Sequence, residues 1–477
     1  ARRMRALLLA AALLAAGCVA PGGEVDPAAL APSVFVDPIV DDHDHASFED
    51  HALSTPSMSL VGHTPMGEDG KPYSYVGEMD TFGNLTVVQV LGRGSMPGFV
   101  VLDVGDPARP TPIGRAEMPW SYVVDVKWSP DGKSVFAASQ KGAGPGRLST
   151  SKPIADDPGT ALLSQNGFTQ WDMSDPTKPV AVAGGLAEPT GCHMLSVKEV
   201  AGTLYVFCVA NVVTVYAYAG GGAWQQVAAM GPGRDDGIDR VLDESVGCLP
   251  ATCVLLSAEP HDITVQPDPL DESRLVASVS YWDFGVRFYD VSDPRSPKLL
   301  GAWAGDAAQR YEGNAHGTAL ALLDGKRVAV VGPELLGDTV PALHVLDVSD
   351  WAKPALIGEW IPPGAHPSHG LTLTTHQFQV VDGRVYLAYN HAGVWVLDLA
   401  RIVAGDYADD PARPEVLGYY LPHERVELYD PETAAVPNTW DVNVKDGRIY
   451  ASDRYTGFYV LQYAGDAPGD RSLTSNT

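Results

Sequence analysis

Four histidines occupy the same place in four consecutive apolar segments of the chain. They are His193, His261, His316 and His376, each at or just before the start of a run of strand-forming residues. Several neutral imidazoles held close together are suitable ligands for copper, zinc or iron. The pattern predicts a site for copper or another divalent transition metal, with His391 as an additional candidate ligand. The alternative interpretation is structural, with each histidine bonding the backbone of a neighbouring unit.

The segments around these histidines contribute a second set of polar and aromatic side chains. If the four segments converge on one axis, the loops that follow them open on the same face and form a polar funnel, which is a common form of binding site. The ligand-binding residues predicted for this funnel are Asp283, Glu334, Asn390, His391, Trp440, Asp441, Asp453 and Arg454. The identity of the ligand does not follow from these residue types.

Internal repetition identifies the elements that must position these residues. A glycine opens a β-branched and aromatic run, an Asp-Pro turn follows, and a short second run ends in glycine; two full copies are residues 98–114 and 285–301. The Asp side chain can accept hydrogen bonds from backbone amides, while Pro fixes φ and removes a ladder donor. Each copy is therefore typical of two antiparallel strands joined by a tight turn.

Two further strands precede each copy and are joined by hairpin signals such as Asp382-Gly383 and Asp446-Gly447. Four antiparallel strands in about 40–50 residues are typical of a propeller blade. We predict an all-β fold, a seven-bladed β-propeller, with blades at about 75–118, 122–187, 191–231, 259–305, 314–361, 374–421 and 438–464. The last blade has only three strands, and an N-terminal strand within 57–62 is predicted to complete it, which closes the ring without an exposed sheet edge.

The pattern common to the copies, Gly-x-x-Val-x-Asp-Val-Ser-Asp-Pro, resembles the repeat of LVIVD-repeat proteins. The resemblance covers most of residues 57–464 and implies a propeller of the bacterial or archaeal lipoprotein type, but it implies little about activity. A weaker resemblance, of architecture alone, is to the selenium-binding and methanethiol-oxidase propellers, which use His-bound copper. That second resemblance implies copper among the four histidines.

The beginning of the chain has the features of an export signal. Arg2, Arg3 and Arg5 precede the apolar run 6–16, which is too short to span a bilayer, and residues 14–18 resemble a lipobox that ends in Cys18. We expect residues 1–18 to be a signal peptide with Cys18 as the lipidated residue, 19–56 a flexible tether, 57–464 the propeller and 465–477 a disordered tail. An ordinary cleaved signal is the alternative. Either signal predicts a protein of the cell envelope, at the outer face of a membrane or periplasmic.

Four cysteines follow Cys18, an even number that favours disulfides in an exported chain. Cys248 and Cys253 lie close together in a long loop, so we predict that they form a bridge. Cys192 and Cys208 fall on neighbouring predicted strands and are either a second bridge or buried thiols. The sequence has no CxxC pair, so it supports neither a zinc ribbon nor a thioredoxin-like site.

The formal charge of −27 argues against a nucleic-acid partner, because binding to phosphate backbones needs Lys and Arg. The sequence shows no metalloprotease, esterase, P-loop or dinucleotide motif in a suitable context. Two hypotheses of different class follow. The leading one is a surface-tethered binding or scaffold module for a protein, a peptide or a carbohydrate. The alternative is a metal-dependent oxidoreductase that holds copper in its histidine cluster.

Overall fold

The fold comes from a computed structural model of the chain. The residues it describes are 53–67, 73, 75–91, 96–118, 122–140, 166–186, 191–231, 260–282, 284–306, 309–310, 315–335, 340–363, 373–405, 413–424 and 437–465. Cys18, Cys248, Cys253 and Asp283 lie outside these ranges. The export signal, the lipidated cysteine and the Cys248–Cys253 bridge therefore stay predictions.

The described residues form seven four-stranded antiparallel sheets, and each sheet is one blade of a β-propeller. The sequence prediction of a seven-bladed propeller is confirmed. In blade order the strands are Val76–Phe82 (β2), Leu85–Val90 (β3), Gly98–Asp103 (β4) and Thr111–Glu117 (β5); Tyr122–Trp128 (β6), Ser134–Gln140 (β7), Gly167–Asp172 (β8) and Val180–Leu186 (β9); Leu195–Val200 (β10), Thr203–Val209 (β11), Val213–Gly220 (β12) and Ala223–Met230 (β13); Asp262–Asp268 (β14), Asp271–Ser280 (β15), Val286–Asp290 (β16) and Lys298–Trp303 (β17); Ala315–Leu323 (β20), Lys326–Pro333 (β21), Leu343–Asp347 (β22) and Ala355–Trp360 (β23); Phe378–Val381 (β24), Arg384–Tyr389 (β25), Gly393–Asp398 (β26) and Val416–Tyr420 (β27); and Thr439–Lys445 (β28), Arg448–Asp453 (β29), Gly457–Tyr463 (β30) and Met58–Thr64 (β1).

Within the part of the chain that the structure describes, a short hairpin and a short helix lie outside the blade strands. A two-stranded hairpin, β18 (Gly305–Asp306) and β19 (Gln309–Arg310), lies between blades 4 and 5. Helix α1 (Leu399–Ala404) replaces the Asp-Pro turn of the repeat in blade 6. Asp398 caps this helix by accepting a hydrogen bond from Arg401 N, and Gly405 ends it in the left-handed conformation, with φ of 68°.

The ring is closed by the N-terminal strand, as the sequence predicts. Strand β1 pairs antiparallel with β30, from Met58 opposite Tyr463 to Thr64 opposite Phe458. This pairing covers the edge that the three C-terminal strands of blade 7 would otherwise expose. The structured region begins slightly before the predicted start of the propeller at residue 57. Thr55 N, within the predicted tether, donates a hydrogen bond to Tyr419 O of blade 6 at 3.1 Å.

The Asp-Pro turns of the repeat have the hydrogen bonds that their residue types favour. In blade 1, Asp106 Oδ1 accepts from Ala108 N at 3.2 Å and Asp106 O accepts from Arg109 N at 2.9 Å. In blade 2, Asp175 Oδ1 accepts from Thr177 N at 3.0 Å. The side chain thus satisfies a backbone donor of the tight turn, as expected for Asp in this place.

In three repeats, the glycine that ends the repeat lies against the turn of the next blade. A Cβ atom on Gly62, Gly114 or Gly301 would lie 2.3, 2.1 or 1.7 Å from a carbonyl oxygen of that turn. The oxygens belong to Pro107, Pro176 and Trp351, respectively. Glycine is therefore needed here because two backbones approach too closely for any side chain.

Polar side chains also join neighbouring blades near the channel. Carboxylates of one blade accept hydrogen bonds from backbone amides of the next at several junctions: Met79 N to Asp441 Oδ2 at 2.7 Å, Trp128 N to Asp80 Oδ2 at 2.7 Å, and Leu195 N to Asp125 Oδ2 at 2.9 Å. Between blades 4 and 5, the Gln266 amide bonds both backbone groups of Leu320, each at 2.9 Å. Histidine takes part in the same kind of contact, because the His316 ring bonds the backbone of His376 in the next blade and the His376 ring bonds the backbone of Trp440 in the blade after it.

A disulfide joins Cys192 to Cys208, with the two Cα atoms 5.3 Å apart. It ties the segment that carries His193 to strand β11 of the same blade. This settles, in favour of a bridge, the choice that the sequence left open for these two cysteines. Within the described ranges, no helix is long and apolar enough to cross a membrane.

Candidate functional site

The four histidines form a continuous row of rings where the inner strands of blades 3 to 6 begin. We call it the imidazole row. The centroids of neighbouring rings are 4.3 Å apart for His193 and His261, 4.4 Å for His261 and His316, and 4.3 Å for His316 and His376. His193 is fixed at one end, since its Nδ1 lies 3.1 Å from Gln140 Oε1 and its Nε2 lies 2.7 Å from His261 Nε2. Each of these four blades supplies one ring, so the row forms only when the blades pack side by side in the propeller.

Aromatic rings pack against the imidazole row. The Trp282 ring lies over His261 with centroids 3.9 Å apart, and the Trp440 ring lies over His376 at 3.5 Å. The guanidinium carbon of Arg454 is 3.1 Å from the Trp440 centroid, which is the geometry of a cation–π contact. The rings of His261 and His376 are therefore each packed against an indole ring.

Two buried carboxylates lie against the imidazole row. Glu334 Oε2 is 3.6 Å from His316 Nε2, and Glu334 Oε1 is 4.0 Å from His376 Nε2. Glu78 Oε1 is 3.4 Å from His376 Nδ1. One potential ligand atom from each of His261, His316 and Glu334 lies within 4.8 Å of the other two.

Several of these buried polar atoms have no side-chain hydrogen-bond partner among the described residues. They are His261 Nδ1, both ring nitrogens of His316, His376 Nδ1, Glu334 Oε2 and both carboxylate oxygens of Glu78. These five residues are buried, with exposed fractions of 4% or less. A buried polar group without a partner costs about 1–3 kcal/mol. These atoms are therefore concentrated where the histidine rings and the two carboxylates meet, at separations of 3.4–4.0 Å.

Burial sets the protonation states at the imidazole row. It lowers the pKa of His193 to about 4 and that of His316 to about 3, and it takes the pKa values of His261 and His376 well below the ordinary value. Burial raises the pKa of Glu334 to about 8, although Arg454 opposes the shift. At neutral pH the row is therefore neutral, the form in which imidazole binds metal ions.

A layer of carboxylates follows the imidazole row along the channel. Glu78, Asp125, Asp262 and Asp441 each come directly after the residue at the row position of their blade. Lys127 Nζ lies 2.6 Å from Asp125 Oδ1 within this layer. Burial raises the pKa of Asp441 to about 7 and that of Asp262 to about 6, and it raises the pKa of Glu78 well above its usual range.

The channel beyond these carboxylates widens into a cavity of about 460 Å³. Its walls come from the inner strands of blades 1 to 7 and include both charged and neutral polar side chains, with two aromatic rings. Among the lining residues are Glu78, Asp80, Thr81, Lys127, Trp128, Ser196, Lys198, Gln377, Phe378, Asp441 and Asn443. Burial lowers the pKa of the Lys198 amine to about 8, with Asp80 acting in the opposite direction.

The residues predicted for the funnel lie in different surroundings. Glu334, Trp440 and Arg454 are at the imidazole row, as described above, and Asp441 is in the carboxylate layer. Asn390 Nδ2 donates to Asn438 Oδ1 at 3.1 Å, and Asp453 accepts from Asn438 N at 2.6 Å, so these two side chains shape a loop. His391 is partly buried, and burial lowers its pKa to about 4. Asp283 is outside the described ranges.

Sequence reasoning did not identify Glu78, Gln140 or Lys127. Blade 1 has glycine at the row position, and a Cβ on Gly77 would lie 2.9 Å from Trp440 Cδ1. With no histidine there, nothing in the sequence drew notice to Glu78, the next residue. Gln140 ends strand β7, far along the chain from His193, and only the packing of blade 2 on blade 3 joins them.

Comparison with known proteins adds little to this description. No family model matches the sequence, and no curated protein matches it. Among solved structures, the crystal structure of the computationally designed Ika8 protein aligns with 84% of this chain and 99% of its own, with 9% identity and a TM-score of 0.44. This likeness says nothing about the chemistry of the channel.

Proposed function

We propose that this chain is an envelope-tethered binding module of the LVIVD-repeat type, which takes a carbohydrate of mono- to disaccharide size into its channel. The observation that carries the proposal is the channel cavity of about 460 Å³, whose wall combines charged, neutral polar and aliphatic side chains. Small-molecule sites commonly have volumes of about 300–1,000 Å³. A whole protein or peptide partner does not fit this space and would have to engage the rim of the ring instead.

The lining of the cavity suits a ligand whose groups both donate and accept hydrogen bonds. Lys127 and Lys198 supply donors, Asp80 and Asp441 supply acceptors, and Asn443 carries an amide. Trp128 and Phe378 add apolar ring surface. Sugar hydroxyls need this mixture, whereas a purely apolar ligand would leave the buried polar groups without partners.

The experiment is a binding titration of the tag-free mature chain against a panel of neutral mono- and disaccharides, by calorimetry and saturation-transfer NMR. Lys198→Ala removes a donor from the cavity wall, and we expect a loss of affinity of about tenfold or more, the worth of one hydrogen bond to a charged group. Glu199→Ala is the matched control, because Glu199 is the next residue on the same strand and is exposed. A panel without any binding sugar, or equal affinities for the two variants, contradicts the proposal.

Tethering through Cys18 is a separate part of the proposal, supported by the lipobox-like sequence. The test is fractionation of cells that express the parent chain or Cys18→Ala, with mass spectrometry of the mature N-terminus. We expect an acylated parent in the membrane fraction and a soluble variant. An unmodified, soluble parent would mean an ordinary cleaved signal.

Metal-dependent oxidation is the second candidate function, and the neutral imidazole row is the observation that favours it. Bound copper would supply one-electron redox chemistry at the row. The measurement is oxygen consumption by copper-loaded chain with small thiols as reductants. No turnover above that of free copper leaves the binding module as the function.

A further inference from the structure

The imidazole row carries a site distinct from the carbohydrate cavity. We propose that His261, His316 and Glu334 bind one divalent transition-metal ion, with Zn²⁺ as the ion that best suits the donors. The ligand atoms of these three residues lie within 4.8 Å of one another. Tetrahedral zinc with ligands at about 2.0–2.2 Å brings its donors to about 3.3 Å from one another, so small rotations of the side chains complete the site.

The unpartnered atoms are an independent observation that points to an ion. Glu334 Oε2 has no hydrogen-bond partner, although the residue is almost completely buried. The ring nitrogens of His316 have no side-chain hydrogen-bond partner, and the group beside this ring is the backbone of His376 in the next blade. The Nδ1 atom of His261 is also without a partner. All three residues therefore hold a lone pair or a charge that no described side chain satisfies, and an ion at their centre would satisfy all three together.

The neighbouring residues orient the ligands instead of adding to them. His193 Nε2 lies 2.7 Å from His261 Nε2, and Gln140 holds His193 in turn at 3.1 Å. His261 is thus fixed through Nε2, which leaves its unpartnered Nδ1 for the ion. Contacts of this kind, from the second ring nitrogen to a further side chain, are common for histidine ligands of metals. His193 is accordingly a positioning residue, and the site is not a set of four equivalent histidines.

His376 contacts the carboxylate of the proposed site but does not belong to the group of three ligands. Its Nε2 lies 4.0 Å from Glu334 Oε1, and its Nδ1 lies 3.4 Å from Glu78 Oε1. Glu78 can therefore orient this ring in the way that His193 orients His261. Two histidines and a carboxylate, without a thiolate, form a donor set found for zinc with a further position open to water or another ligand.

The test uses the tag-free chain, since a histidine tag would itself bind metal. The chain is loaded with ZnSO₄ or CuSO₄, dialysed, and analysed for metal by mass spectrometry, and Zn²⁺ affinity is measured by competition with a chromophoric chelator. We expect one ion per chain. Glu334→Gln keeps the shape of the side chain but removes its charge, and we expect at least a 100-fold loss of Zn²⁺ affinity.

His344→Gln is the matched control. It removes a histidine that also faces a glutamate in blade 5, with His344 Nε2 3.2 Å from Glu359 Oε1, but that pair lies in strands β22 and β23, outside the channel. We expect Zn²⁺ affinity within twofold of the parent for this variant. Circular dichroism and the unfolding temperature establish that both variants are folded.

Three results would overturn the inference: no retained ion in the folded parent, equal losses for Glu334→Gln and His344→Gln, or full affinity in Glu334→Gln. With copper, the electron paramagnetic resonance spectrum should show coupling to nitrogen that decreases in His316→Gln. The inference does not rest on the carbohydrate proposal, because Lys198→Ala tests the cavity and should leave metal binding unchanged.

Discussion

The Asp268–Arg327 ion pair offers a sharp test of how the blades are held together. Asp268, at the end of β14 in blade 4, accepts from Arg327 Nε at 2.6 Å and from Arg327 Nη2 at 2.8 Å. Arg327 Nη1 also donates to Val348 O at 3.0 Å, and its guanidinium carbon lies 4.2 Å from the Trp351 ring centroid. The exposed fractions are 0% for Asp268 and 5% for Arg327, so solvent screens this pair very little.

The perturbation is Asp268→Asn, which keeps the side-chain shape but leaves the Arg327 charge buried without its counter-ion. Loss of one partner of a buried ion pair costs about 3–5 kcal/mol. Arg274 Nη1, at 3.3 Å from Asp268 Oδ2, loses a contact as well, but its side chain is 33% exposed and adds little. With an unfolding entropy of about 2 cal/mol/K per residue over roughly 400 residues, the unfolding temperature should fall by about 4–6 °C.

Urea unfolding followed by tryptophan fluorescence measures the loss of free energy, and thermal unfolding measures the fall in unfolding temperature. Lys326→Met is the matched control in both. Lys326 precedes Arg327 and pairs with Asp347 at 3.1 Å, but its side chain is 62% exposed, so its loss should cost under about 1 kcal/mol. Arg327→Met and the double variant complete a thermodynamic cycle, in which the double variant should lose less free energy than the two single variants together. Equal costs for Asp268→Asn and Lys326→Met, or strict additivity in the cycle, would refute the reasoning.

Three further predictions concern the bridge, the channel and the repeat. Replacing Cys192 and Cys208 by Ala should lower the free energy of unfolding by about 3 kcal/mol, because the bridge closes a loop with a sequence separation of 16; a loss under about 1 kcal/mol in urea unfolding would contradict this. Because burial raises the pKa of Asp441 to about 7, the folded chain holds this proton more tightly than the unfolded chain, and its stability should fall as pH rises from about 4 to 7. Asp441→Asn should therefore gain stability relative to the parent as pH rises from about 4 to 8, and a difference that does not change with pH would count against it. Gly301→Ala should cost at least about 2 kcal/mol, since its Cβ would lie 1.7 Å from Trp351 O; an unchanged unfolding temperature would show that the blades can move apart without penalty.

Much of the fold follows from local signals in the sequence. The Asp-Pro turns, the Asp-Gly hairpins and the β-branched runs each act over a few residues, and their repetition alone predicts seven blades. The fragment that begins at Ser57 and the three-stranded last blade are complementary halves, and β1 pairs with β30 as predicted. The common register of the four histidines is also visible in the sequence, because it follows from the repeat.

Tertiary structure alone decided what surrounds each of those histidines. Glu78 reaches His376 only because blade 1 closes the ring beside blade 7, and Gln140 reaches His193 only because blade 2 packs on blade 3. The choice between a bridge and two thiols for Cys192 and Cys208 likewise needed the paired strands of blade 3. Turn and strand signals are local and can be read along the chain, whereas these contacts join residues that are distant in sequence and depend on the closure of the whole ring.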